Sequence, residues 1–173
     1  MDGLHVLSLD QTGLAQKGGA VVSHLMVSRE PLHASARANA GSLDLLLGYD
    51  LLGVLAVDNL KCAHPSRTAA VVNTHLTPTV ESTRKRLPLG DPARQLEQIE
   101  SCTDAKRNHY LDASALSEGY FGTHMMANMI LLGAAWQAGM VPISLDSITA
   151  AIRLNGAEVE KNLKAFALGR TPP

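Results

Sequence analysis

A glycine-containing loop near the start of the chain carries the residues whose types and spacing could do chemistry. The stretch 9–24 reads LDQTGLAQKGGAVVSH and combines hydrogen-bonding or charged side chains with three glycines, namely Asp10, Gln11, Thr12, Gln16 and Lys17 beside Gly13, Gly18 and Gly19. Glycine reaches positive φ at little steric cost, and a lysine ammonium suits a phosphate or carboxylate. The pattern predicts a ligand-contacting loop or, on local pattern alone, a tight turn between strands with a solvated lysine.

Composition limits the classes of protein that the chain can belong to. With 173 residues it fits one compact domain, and 46% apolar against 18% charged residues excludes a disordered or fibrous chain. The net charge of -1 and the 3% aromatic content provide neither the basic surface nor the stacking platform of a nucleic-acid-binding protein. We therefore expect no nucleic-acid partner.

The two cysteines and the apolar segments indicate a cytoplasmic protein. Cys62 and Cys102 are isolated in sequence, so one chain cannot build a disulfide framework, a zinc site or an iron-sulfur cluster from them. The start, MDGLHVLSLD, is patterned like a strand rather than a signal peptide. The longest apolar run, 125–139, is shorter than the roughly 20 residues of a membrane span.

Alternating strand and helix signals predict an α/β domain with a largely parallel sheet. Apolar and β-branched runs predict strands at 5–9, 19–27, 43–47, 68–73 and 109–111. Helices are predicted at 51–63, from Pro92 onward, from Thr123 to about 138, at 145–154 and at 157–168. Short polar residues stand at four of the expected helix starts and should act as N-caps: Asp50, Asp91, Thr123 and Ser144.

Several polar residues favour structural interpretations. His24 interrupts an apolar strand and is interpreted as a satisfied core or edge histidine rather than a base. Asn128 lies in a helix that is apolar nearly all round, so its amide should be buried and hydrogen-bonded; Asn162 is assigned a structural role as well. The basic run 84–86 indicates a solvated surface, with an anion or partner contact as the alternative.

Several catalytic motifs are missing from the sequence. It has no GxxxxGK[ST], GxGxxG or GxSxG, and no obvious pair of carboxylates for acid-base work. The string nearest to a thiamine-type GDG is Gly90-Asp91-Pro92, which lacks the third glycine. We expect no catalytic and no metal-binding residue in this chain.

The segment LDQTGLAQKGGAVVSH resembles the gamma component of 2-oxoacid:ferredoxin oxidoreductases, and most of all the C-terminal part of the fused indolepyruvate ferredoxin oxidoreductases. The resemblance extends over nearly the whole chain. Further similar segments occur in the same order at 45–50 (LLLGYD), 70–75 (AVVNTH), 111–113 (LDA), 128–133 (NMILLG), 150–156 (AAIRLNG) and 162–170 (NLKAFALGR).

The resemblance implies a three-layer α/β/α unit with a mixed, mostly parallel sheet. Enzymes of this family decarboxylate a 2-oxoacid oxidatively to an acyl-coenzyme A and pass the electrons to ferredoxin. Their thiamine diphosphate, Mg²⁺ and [4Fe-4S] clusters belong to partner domains, so this chain would bind no cofactor alone and would need those partners for turnover. By the same resemblance, contacts to an anionic substrate or coenzyme A are expected from Thr12, Gln16, Lys17, Gly18 and Gly19.

The sequence differs from the family pattern in one respect, at its start. Residues 1–173 resemble a single gamma-type domain that lacks the usual first βα unit, which would expose a sheet edge and favour homo-oligomers. Two alternatives stay open beside the enzyme component. The chain could be a non-catalytic assembly module, or a stand-alone domain that binds a small molecule.

Overall fold

The structure, a computed structural model, describes residues 2–12, 21–76 and 91–171. Its strands are β1 His5–Thr12, β2 Val21–Ser28, β3 Leu45–Gly48, β4 Ala69–Asn73 and β5 His109–Leu111. The helices are α1 Leu51–Val54, α2 Val57–Leu60, α3 Pro92–Cys102, α4 Ala113–Phe121, α5 Ala127–Gln137, α6 Leu145–Asn155 and α7 Val159–Gly169. Single 3₁₀ turns occupy Ala105–Arg107 and His124–Met126.

A parallel sheet with the order β3-β4-β5 lies at the centre, between two helical layers. All five residues of β4 are buried. Because successive strand residues point to opposite faces, Val71 packs with α5 whereas Val72 packs with α1 and α3. The neighbouring strands follow the same alternation, with Leu47 on the first side and Leu46 on the second. The predicted three-layer α/β/α class is therefore confirmed.

A long antiparallel hairpin, β1 with β2, forms a two-stranded sheet of its own. The strands pair residue for residue from His5–Ser28 to Thr12–Val21, without a bulge. β1 thus extends three residues beyond the predicted strand end at Leu9. On one face of the hairpin Val21 and Leu25 are 67% and 61% exposed, so this face is not covered by the described part of the chain.

The four predicted N-caps are confirmed by side-chain hydrogen bonds at the helix starts. Asp50 accepts from Leu52 N and Gly53 N, and Asp91 accepts from Ala93 N. The remaining two caps accept from the backbone two or three residues on, Thr123 from Met125 N and Ser144 from Ser147 N. The sequence thus locates these helix starts correctly, although Thr123 caps a 3₁₀ turn that leads into α5.

The predicted helix 51–63 is wrong in one respect, because it is divided into α1 and α2. Ala56 between them has extended backbone angles, φ -57° and ψ 129°. The Asn59 side chain donates to Gly53 O over 2.8 Å and occupies the acceptor that a continuous helix would offer to the N–H of Val57. Helix α4 also had no predicted counterpart; Asp112 caps it by accepting from Ala115 N.

The prediction for Asn128 is wrong as well. The amide of Asn128 was predicted to be buried, but Asn128 is exposed near the start of α5. The buried side of that helix is formed by Ala127, Ile130 and Leu131, and Asn128 lies away from it. Met125, in the turn before α5, is 70% exposed as well.

Helices α5 and α7 cross at two glycines. A methyl group on Gly133 would overlap the carbonyl oxygen of Phe166, and one on Gly169 would overlap that of Ile130. Hydrogen atoms at these positions let the two backbones approach closely. The contact fixes the helical layer that covers the face of the sheet bearing Val71.

Within the described ranges, no helix is both long and apolar enough to cross a bilayer.

We predict that Gly169→Ala lowers the free energy of unfolding by about 3 kcal/mol, because the added methyl group meets backbone that cannot turn aside. Gly119→Ala is the matched control. Gly119 lies within α4, and a Cβ there would have no neighbour within 4 Å, so alanine should be neutral or stabilise by up to about 1 kcal/mol. Urea denaturation of both variants measures the difference, and equal stabilities would contradict the close crossing.

Asp2 ties the segment before β1 to the start of α6. Its carboxylate accepts from Ser144 N at 2.8 Å, from Ser144 Oγ at 2.6 Å and from Ser147 Oγ at 3.0 Å. These hydrogen bonds, the one from the Ser144 side chain foremost, hold the pKa of Asp2 below its ordinary value. The carboxylate also lies at the N-terminus of α6, where the partial positive charge of the helix dipole favours an anion.

The lowered pKa of Asp2 predicts a pH-dependent contribution to stability. A depressed folded-state pKa stabilises above the unfolded value of 3.8, and the contribution is lost as the pH falls through the folded-state pKa. Asp2→Ala should therefore lower the urea midpoint at pH 7, and the gap from the parent chain should shrink below pH 3.8. A gap that stays constant from pH 7 to pH 3 would contradict the charge-dependent tie.

Candidate functional site

The polar residues at the carboxyl ends of the parallel strands converge on Asn73, the last residue of β4. Asn73 is only 4% exposed. Its Nδ2 donates to Tyr49 O at 3.2 Å and to Ser114 Oγ at 2.9 Å. Its Oδ1 accepts from Ala113 N at 3.1 Å and from His75 N at 3.3 Å. One amide therefore connects the three segments that follow β3, β4 and β5.

His75 and Asp112 form a side-chain pair at the same edge. His75 Nδ1 lies 3.3 Å from Asp112 Oδ1 and 3.4 Å from Oδ2, and both side chains are partly open to solvent. Asp112 also accepts from Ala115 N at 2.7 Å as the N-cap of α4. The carboxylate orients the imidazole through Nδ1 and leaves Nε2 to contact a ligand or partner.

Two neighbouring residues complete this edge. Thr74 N donates to Leu111 O at 3.0 Å and continues the pairing of β4 with β5 beyond the strand ends. Partial desolvation raises the pKa of the Tyr49 hydroxyl above its ordinary 10.0. Tyr49 is therefore neutral near pH 7 and able to donate a hydrogen bond. In chemical terms the edge offers an oriented imidazole, a phenol and a carboxylate already committed to a helix cap.

The loop residues predicted to contact a ligand are Thr12 and four residues of the segment 13–20, which connects β1 to β2. Thr12 is the last residue of β1 and pairs with Val21, the first residue of β2. Gln16, Lys17, Gly18 and Gly19 lie outside the described residues, as does the basic run 84–86. Their assignment as ligand contacts stays a prediction.

The histidine and asparagine predicted to be structural have backbone partners. His24 Nδ1 accepts from Ala38 N at 3.3 Å, which joins β2 to the following loop. Asn162 Nδ2 donates to Ala157 O at 2.9 Å and closes the turn before α7. Both side chains support local backbone geometry.

The described residues do not fit the metal groups of the enzymes that the chain resembles. A [4Fe-4S] cluster is held by four thiolates, whereas this chain has two cysteines, and Cys62 Sγ lies within hydrogen-bonding distance of Ala38 O and Asp58 O. In the part of the chain that the structure describes, no three metal-binding side chains come together. We therefore assign no chemical step of such a group to these residues.

The edge around Asn73 was not recognised as a site from the sequence. The segments 70–75 and 111–113, which contain Asn73, His75 and Asp112, were noted as part of the family resemblance, without a role for these side chains. The signal that could have located them is the polar residues that end predicted neighbouring strands, because carboxyl ends of parallel strands meet at one edge of a sheet. What the sequence lacked was the pairing order β3-β4-β5.

The three-layer fold is that of an oxidoreductase gamma subunit. A solved structure, the gamma subunit of the keto/oxoacid ferredoxin oxidoreductase from Geobacter sulfurreducens, matches with a TM-score of 0.58 at 19% identity, over 98% of this chain and 80% of that one. At this identity the likeness shows the fold.

The pyruvate ferredoxin/flavodoxin oxidoreductase family matches residues 1–171, so the chain belongs to that family. A curated relative is the indolepyruvate oxidoreductase subunit IorB of Methanothermobacter thermautotrophicus, 24% identical over 169 residues, which cover 96% of this chain and 81% of the relative. The predicted membership, a gamma domain of the 2-oxoacid:ferredoxin oxidoreductases, is thereby confirmed.

We predict that two substitutions in the network around Asn73 lower the free energy of unfolding by different amounts. Asn73→Ala removes four hydrogen bonds and leaves the N–H of buried Ala113 without this acceptor, so the free energy of unfolding should fall by about 3 kcal/mol. Ser114→Ala removes one of these bonds and should cost about 1 kcal/mol. Urea denaturation compares them, and equal losses would argue against Asn73 as the common link.

Proposed function

We propose that the chain is the gamma-type component of an enzyme that converts a 2-oxoacid of the indolepyruvate or pyruvate type to an acyl-coenzyme A, with ferredoxin as electron acceptor. Family membership over residues 1–171 supports the component, and the IorB relative supports the substrate class. Thiamine diphosphate, Mg²⁺ and the [4Fe-4S] clusters belong to partner domains in this proposal. The chain itself contributes binding surface and no catalytic residue.

The long hairpin is the observation that carries the proposed role. Eight consecutive residue pairs run from His5–Ser28 to Thr12–Val21, so the segment 13–20 connects the two strands at the Thr12 end. That segment contains Gln16, Lys17, Gly18 and Gly19. A lysine together with backbone N–H groups of glycines suits the carboxylate of a 2-oxoacid or a coenzyme A phosphate.

Lys17 provides the test of this role. The chain is combined with the thiamine-diphosphate- and cluster-bearing component from the same organism, and 2-oxoacid-dependent dye reduction is measured. Lys17→Ala should lower kcat/KM by about tenfold, which corresponds to about 1.4 kcal/mol. Lys61→Ala is the matched control, since Lys61 is an exposed lysine whose ion pair with Asp58 lies in another part of the chain.

The reconstituted assay also separates the proposal from its main alternative. Failure of the parent chain to support any 2-oxoacid-dependent reduction would contradict the proposed role in the enzyme. Full activity of Lys17→Ala in a complex that still assembles would favour a non-catalytic assembly module. The exposed apolar side chains of the hairpin, Val6, Val21 and Leu25, are the observation that favours this module, because partners or further copies of the chain could cover them.

A further inference from the structure

An open cleft of about 770 Å³ separates the base of the hairpin from the turn between α5 and α6. One wall comes from residues 2–4 and 27–29, at the start of β1 and the end of β2. The other wall comes from Trp136, Gly139 and residues 141–144. The cleft is distinct from the edge around Asn73, with which it shares no residue. Its volume falls within the range of roughly 300–1,000 Å³ typical of small-molecule sites.

Most of the lining is apolar. Leu4 and Val27 contribute from the hairpin side, and Trp136, Val141 and Ile143 from the helical side. The Trp136 ring is held in place, because Nε1 donates to Ile143 O at 2.7 Å. The Arg170 guanidinium lies 4.7 Å from the ring centroid, and the ring of Phe166 is 6.1 Å away. A ligand would therefore meet a fixed aromatic surface whose N–H is already satisfied.

The two charged residues of the lining differ in what they can still bind. The Asp2 carboxylate accepts three hydrogen bonds from Ser144 and Ser147 at the start of α6, so its oxygens are already engaged within the fold. Arg29 is exposed and makes no hydrogen bond or ion pair with any of the residues in 2–12, 21–76 and 91–171. The cleft thus presents one uncommitted guanidinium beside an apolar wall.

We propose that this cleft binds an organic anion with an aromatic or branched apolar body, the body against Trp136 and the carboxylate paired with Arg29. A guanidinium matches a carboxylate through two parallel N–H groups, and the apolar lining gains from the area that the ligand removes from water. This site goes beyond the proposed function and does not depend on it. It can be tested on the full chain without any partner.

Trp136 is the only tryptophan, so its indole N–H gives one resonance that reports on the cleft directly. The probe is 4-phenylbutyrate, titrated into the ¹⁵N-labelled chain, with 4-phenylbutanamide as the neutral probe of the same shape. The acid should shift the Trp136 resonance in a saturable way. The amide should bind about fivefold more weakly, since it lacks the ion pair with Arg29.

Two arginine variants test whether the preference for the acid over the amide comes from Arg29. Arg29→Gln should weaken binding of the acid by about fivefold and leave binding of the amide unchanged. Arg153→Gln removes the same charge from an exposed position on α6 outside the cleft and should leave both affinities unchanged. A Trp136 resonance that does not respond saturably would overturn the proposal. Equal affinities for acid and amide, or equal losses in the two arginine variants, would overturn it as well.

Discussion

The four hydrogen bonds of the Asn73 side chain are the constraint on which the polar edge of this domain depends. β4 is buried along its whole length, so an amide at its end must find partners within the protein. Asn73 finds them in the segments that follow all three parallel strands. The positions of Tyr49, His75 and Ser114 therefore depend on one another, because all three are hydrogen-bonded to the same amide.

The rest of the molecule divides into a packed body and a projecting arm. In the body, the glycine crossing brings α5 and α7 close together within the helical layer that packs on the sheet. The hairpin β1–β2 has few such supports. Two-stranded sheets are marginally stable in water. This one is held by hydrogen bonds from Ser144 to Asp2, just before β1, and from Ala38 N to His24 in the middle of β2. An arm of this kind is suited to contacts with other domains, which agrees with a component that works in a larger enzyme.

Local signals in the sequence predicted local structure well, and they failed where distant residues decide. N-caps such as Asp50 and Asp91 were predictable because the capping carboxylate and the backbone N–H groups that donate to it lie within three residues of each other. The break between α1 and α2 was not, since it depends on the Asn59 amide reaching back to Gly53 O. The exposure of Asn128 was missed because an almost wholly apolar helix does not show which side faces the core. The cluster around Asn73 needed the strand order, which no single segment contains. The family itself was recognisable from one specific segment, LDQTGLAQKGGAVVSH.

We propose that the hairpin is the part of this chain that meets the catalytic partner. Hydrogen-deuterium exchange of the full chain, with and without the thiamine-diphosphate- and cluster-bearing component, tests it most directly. We expect slower exchange in peptides that cover residues 5–28 when the partner is added, with the buried strand β4 unchanged. Slower exchange confined to other surfaces, with residues 5–28 exchanging as in the free chain, would contradict it.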